Sequence, residues 1–251
     1  MENPYPKSLT LPALSTLELE NLTFYGGDNG CAEPFSAFSK LKSLLISECF
    51  VKDAGTFCIS SASLVNFTMH IESDNDEYYK IVLCTPSLCT FVFRGYSYQD
   101  ISWSNISSLE HVHIDVELFP NSCRPPFFLI KWLSEFANIK SLTVTAATLQ
   151  ALSLIPGVLE SKITSLGKLK ILKVEIEEIR YAFRMLLCDE KLLNIKSKKE
   201  ASRIEKAFES GLEPSPLVPD GVVDFLLQNS PSAEVDFVDC RKKKPLRRRH
   251  L

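Results

Sequence analysis

At 251 residues, with 45% hydrophobic and 24% charged content, the chain has the composition of a folded protein rather than a disordered one. Its formal charge of −3 conceals an asymmetry: seven of the 28 lysines and arginines fall in residues 241–251, leaving 21 bases against 31 acids elsewhere, or −10. An acidic body argues against a nucleic-acid groove spread over the fold, and no run of about 18 apolar residues marks a membrane helix.

The chain opens Met1-Glu-Asn-Pro-Tyr-Pro-Lys, without the basic and apolar pattern of a secretory signal, so a cytoplasmic or nuclear location is expected. The eight cysteines form no CxxC pair and read as reduced, packed thiols. Glycosylation-type triplets at Asn21, Asn66 and Asn105 are then coincidental.

After a lead-in over residues 1–10, one apolar pattern organises residues 11–176. Its cleanest copy is Leu41, Leu44, Ile46, Cys49 and Val51, at offsets 0, 3, 5, 8 and 10. Residues two apart share one face of a strand, so Leu44 and Ile46 point inward together. The same offsets carry Leu14, Leu17, Leu19, Leu22 and Phe24, then Leu64, Phe67 and Met69, then Leu88, Phe91, Phe93, Tyr96 and Tyr98. Leu109, Val112 and Ile114 follow, then Ile139, Leu142, Val144, Ala147 and Leu149, then Leu169, Leu172 and Val174. Successive lead residues are 27, 23, 24, 21, 30 and 30 apart, and the spacing matches the leucine-rich-repeat signature. The expected fold is an α/β leucine-rich-repeat solenoid, a horseshoe with a parallel strand-lined concave face and irregular or helical convex connections.

Between the strands, Gly26–Gly30 and Glu72–Glu77 read as loops. Phe35–Ser39 and Phe57–Ala62 have room for no more than a helical turn, and Pro125-Pro126 opens a helix over Phe127–Phe136. Residues 177–217 read as a helical, charged segment and a proline-rich connector. There Ile179, Phe183, Leu186 and Leu187 form an apolar stripe, and a helix over Lys196–Glu209 stops at Gly211. Residues 218–240 read as a helix–strand cap. Asp220 caps a short helix that buries Val222, Val223, Leu226 and Leu227, and Ala233, Val235 and Phe237 alternate as a strand. Val235, Phe237 and Cys240 repeat the spacing of Leu44, Ile46 and Cys49, as a terminal repeat closing the stack.

Three stretches carry a resemblance: Leu14-Ser-Thr-Leu-Glu-Leu-Glu-Asn-Leu-Thr-Phe24, the pair Ala62–Phe67 and Thr85-Pro-Ser-Leu88, and Val218–Pro231 followed by Ala233–Cys240. In these the chain resembles plant F-box proteins with leucine-rich repeats and a C-terminal FBD-type region, over residues 8–240. The resemblance implies the substrate-recognition part of a cullin–RING ubiquitin ligase receptor. Only about ten residues precede the first repeat, so no F-box is expected within these residues. Two alternatives stay open: a fragment of a longer F-box protein, for which a Skp-type adaptor is expected, or a truncated receptor expected to bind without ligase coupling.

No catalytic constellation is present: there is no GxSxG, HExxH or Walker loop. No cofactor is expected. His111 and His113 share a strand face, a spacing that could chelate zinc, but they read as outward-facing repeat positions and no metal site is assigned. Recognition of a protein by the concave face is the expected chemistry. Its central column is Glu18, Leu45, Thr68, Val92, His113, Thr143 and Lys173, with His70, Arg94 and His111 beside it. The terminal run Lys242, Lys243, Lys244, Arg247, Arg248 and Arg249 fits a nuclear import receptor, or phosphates in an alternative nuclear or nucleic-acid-associated role.

Overall fold

The computed structural model describes residues 3–6, 11–71, 79–96, 100–118, 126–193, 195–211 and 216–241. The expected loop at 72–77, Tyr98, Pro125, Pro214 and the basic run from Lys242 lie outside them.

The recurrent apolar pattern produces strands at equivalent positions: β1 (Thr16–Glu20), β4 (Ser43–Ser47), β7 (Asn66–Ile71), β9 (Thr90–Tyr96), β11 (His111–Glu117), β12 (Ser141–Thr145), β13 (Ile171–Ile176) and β14 (Glu234–Asp239). They pair in that order, every pair parallel, into one eight-stranded sheet. Register places Leu17, Leu44, Phe67, Phe91, Val112, Leu142, Leu172 and Val235 in one row. Leu19, Ile46, Met69, Phe93, Ile114, Val144, Val174 and Phe237 form the next inward row. The molecule is an α/β solenoid in which each turn buries its inner face on its neighbours.

Backbone bonds fix where each strand starts. The Ser15 carbonyl accepts from the Lys42 and Ser43 amides, Lys42 from Val65 and Asn66, Val65 from Cys89 and Thr90, and Cys89 from Glu110 and His111. The exit is fixed by left-handed backbone seven residues after the lead, at Asn21 (φ 54°), Glu48 (φ 50°) and Gly95 (φ 104°). Gly95 is required there, because a Cβ would lie 1.9 Å from the Ile71 carbonyl oxygen.

The outer layer differs between the two halves. In the first, the expected irregular or helical connections are replaced by strands. β3 (Cys31–Ala32), β6 (Thr56–Ser60), β8 (Lys80–Cys84) and β10 (Asp100–Trp103) form a second parallel sheet, and β2 (Thr23–Tyr25) pairs with β5 (Phe50–Lys52). Phe57–Ala62 is thus largely strand, not a helical turn. Phe57 and Ile59 point inward at a spacing of two and complete the layer with Phe24 and Phe35. Rings fill the interior, with Phe91 packed on Phe67, Trp103 and Trp132 at 5.9, 4.8 and 6.5 Å between centroids.

The second half is covered by helices. α1 (Phe127–Glu135) follows Pro126 as expected and buries Leu129, Trp132 and Leu133. α2 (Ala146–Ser153) begins directly after β12, so Ala147 and Leu149 are helical core residues rather than residues of a strand-exit turn. α3 (Tyr181–Leu193) buries Phe183, Leu186 and Leu187. α4 (Lys198–Glu209) starts on a Ser197 cap, ends near Gly211 (φ 83°) and buries no residue. It rests on α3 through Tyr181 stacked on Phe208 at 5.8 Å.

At the end of the chain, α5 (Val222–Leu226) is capped by Gly221 (φ 77°), not by Asp220, because the left-handed turn sets the helix entry without a side-chain bond. Val222, Phe225 and Leu226 are buried while Val223 and Leu227 are half-buried, since only one side of this short helix meets α2. β14 adds the eighth strand, but Phe237 is 53% exposed because no further turn among the described residues covers it.

Candidate functional site

The outward residues of the main sheet form three parallel rows. Glu18, Leu45, Thr68, Val92, His113, Thr143 and Lys173 occupy one row, continued by Asp236. His70 and Arg94 lie in the next row with Glu20, Ser47, Asp115, Thr145, Glu175 and Val238. His111 belongs to the row on the other side, between Thr90 and Ser141. At about 4.8 Å between strands, eight strands span roughly 34 Å.

This face is graded. Glu18 and Asp236 at its ends are exposed, while Leu45, Thr68, Val92 and Thr143 are half-buried and uncharged. Thr145 is an exception to the outward pattern: it is buried, accepts from the Thr148 amide as the α2 cap and donates to Asp115 Oδ1 at 2.9 Å. The helix that follows β12 closes over it.

The charged side chains gather toward the second half. Lys173 Nζ lies 2.6 Å from Glu175 Oε1, and His113 Nε2 lies 3.5 Å from Glu175 Oε2. Burial pushes the His113 imidazole below its ordinary value, and the Arg94 charge adds to this against Glu175 and Asp115. Burial alone would raise the Glu175 carboxyl, but the Lys173 hydrogen bond and the charges of His113, Lys173 and Arg94 outweigh it and hold the group low. Glu177 moves the other way, raised by burial and by Asp115 and Glu175.

Behind this cluster lies a carboxyl the sequence pattern did not single out. Glu117 is buried, accepts from the Arg180 amide at 3.3 Å and has Arg180 Nε 3.3 Å from its Oε2. Burial raises its pKa to about 7, against the lowering effect of Arg180. Glu117 stands at the offset that Cys49 and Cys240 occupy in their repeats, so an acid at an inward position was the available signal. Its partner lies 63 residues away in sequence, which no local pattern connects.

His111 and His113 do not converge, since His113 turns to Glu175 while His111 is exposed one row away. No described helix is long and apolar enough to cross a membrane. The basic run Lys242–Lys244 and Arg247–Arg249 lies outside the described residues. Comparison with family models, with characterised proteins and with solved structures finds no match to this chain.

Proposed function

We propose that the chain is a non-enzymatic, protein-binding module of leucine-rich-repeat type, and that it serves as the substrate-recognition part of an F-box-type ubiquitin ligase receptor. The observation that carries the binding role is the graded row from Glu18 to Asp236: uncharged, half-buried side chains at the centre and charges at both ends. Protein interfaces have this anatomy, an uncharged centre within a polar rim. A surface about 34 Å long accommodates a standard interface. Glu18, Glu20, Asp115, Glu175, Glu234 and Asp236 outnumber Arg94 and Lys173 on the three rows, so the bound surface carries basic groups at its periphery. The ligase role rests on the three stretches that resemble F-box proteins.

Affinity isolation with the purified chain tests the binding role. Leu45→Asp combined with Glu18→Lys should reduce recovery of the same bound protein about tenfold or more, a loss of roughly 1.4 kcal/mol. Equal reversals at Asp220 and Asp224 should leave recovery unchanged. Undiminished binding by the Leu45/Glu18 variant overturns the concave site. The ligase role is tested separately, by co-purification of a Skp-type adaptor with the product of the whole natural reading frame. Failure of that arm removes the ligase role alone.

A further inference from the structure

Cys89 immediately precedes β9, Glu110 immediately precedes β11, and His111 is the first residue of β11. A thiol, a carboxylate oxygen and an imidazole nitrogen from these three residues all lie within 4.8 Å of one another. Among the described residues they are the group of three or more such side chains placed to share an ion. We propose that Cys89, Glu110 and His111 form a three-ligand zinc site at the edge of the open sheet face.

The backbone holds the ligands together independently of any ion. The Glu110 and His111 amides both donate to the Cys89 carbonyl at 3.0 Å, which locks the two strand entries side by side. Zinc bonds are about 2.0–2.3 Å long, so tetrahedral ligand atoms stand roughly 3.3–3.8 Å apart. Side-chain rotation by about 1 Å closes the triangle from its present spacing. Cys89 and Glu110 are half-buried and His111 is exposed, so all three can turn without opening the core. Lys140 Nζ lies 2.6 Å from Glu110 Oε1, which fixes the carboxylate by one oxygen and leaves the second to face a metal. Sulfur, nitrogen and oxygen donors together suit borderline-soft zinc better than calcium or magnesium, which take oxygen sets. Three protein ligands leave the fourth position for water or for a donor from a bound protein.

The site shares His111 with the sheet face but does not rest on the function proposed above, and it is tested without it. The reduced, metal-free chain is titrated with Co2+, with the thiolate-to-cobalt charge-transfer band as readout, and then with Zn2+. One equivalent should bind, with the band displaced by zinc. Cys89→Ser should abolish the band, and His111→Ala or Glu110→Gln should weaken binding about tenfold or more, since even outer ligand partners are worth that much. Cys84→Ser should leave both unchanged, and circular dichroism checks that each variant is folded. Absence of saturable binding, or a band that survives in folded Cys89→Ser, overturns the site.

Discussion

Arg180 spans Glu117 and Tyr96: its Nε lies 3.3 Å from the buried carboxylate, and its guanidinium sits 5.4 Å from the Tyr96 ring centroid. Glu117 and Tyr96 are register partners on β11 and β9, so one arginine from the segment entering α3 fastens two adjacent strands at their exits. One arginine beside the site offsets only part of the cost of removing a carboxylate from water.

Stability should therefore depend on pH through Glu117. The unfolded carboxyl releases its proton near 4.5, while the folded one holds it to about 7. Between these values the unfolded state is the more ionised, so stability falls as pH rises from about 4.5 to 7 and stays low above. The integrated effect is on the order of 3 kcal/mol. Glu117→Gln should flatten this dependence and be more stable than the parent at pH 8, as read by urea unfolding at several pH values. A parallel profile for both proteins would refute it.

His113 should act with the opposite sign. Its folded pKa is depressed below the ordinary 6.5, so on acidification the unfolded state takes up the proton first. Stability is lost as pH falls from 6.5 toward the lowered folded value. His113→Gln should remove that acid-side loss while leaving the Glu117 dependence in place. Two-dimensional NMR titration of the imidazole would give its folded value directly, and a value above 6.5 would contradict the assignment.

Gly95 should be intolerant of any side chain. At φ 104°, and with a Cβ position 1.9 Å from the Ile71 carbonyl oxygen, Gly95→Ala must push two central strands apart. The expected cost is about 2 kcal/mol or more. Gly157 also has positive φ, at 69°, but nothing lies within 4 Å of its added Cβ. Gly157→Ala should cost only about 1 kcal/mol. Thermal unfolding of the two variants separates steric collision from dihedral strain.

Leu45 and Phe91 should separate recognition from folding. Phe91 is fully buried among three aromatic rings, and Phe91→Ala should cost about 3–5 kcal/mol. Leu45 faces outward and is half-buried, so Leu45→Ala should cost less than about 1 kcal/mol while weakening capture of a bound protein. Equal destabilisation by the two would place Leu45 in the core instead.

The inner rows of the main sheet were legible in the residue pattern. Leu44 and Ile46, and their equivalents from Leu17 to Phe237, share a register because alternation of side chains along a strand is a local covalent property. Helices over residues 127–135 and 198–209 were legible for a similar reason, with a proline start in one and a serine cap with a glycine stop in the other. Phe57–Ser60 was not, because the three-residue apolar run Phe57-Cys58-Ile59 fits either a helical turn or a strand. Pairing with Lys80–Cys84 settled it as a strand.

The candidate sites divide along the same line. The row from Glu18 to Lys173 follows from the sequence alone, since it needs only strand periodicity and a constant offset from each lead residue. Glu117 with Arg180, and Cys89 with Glu110 and His111, exist only in the tertiary structure. Their members are brought together by parallel stacking across 21 to 63 residues of chain, a proximity that depends on which turns become neighbours and how their exits are closed.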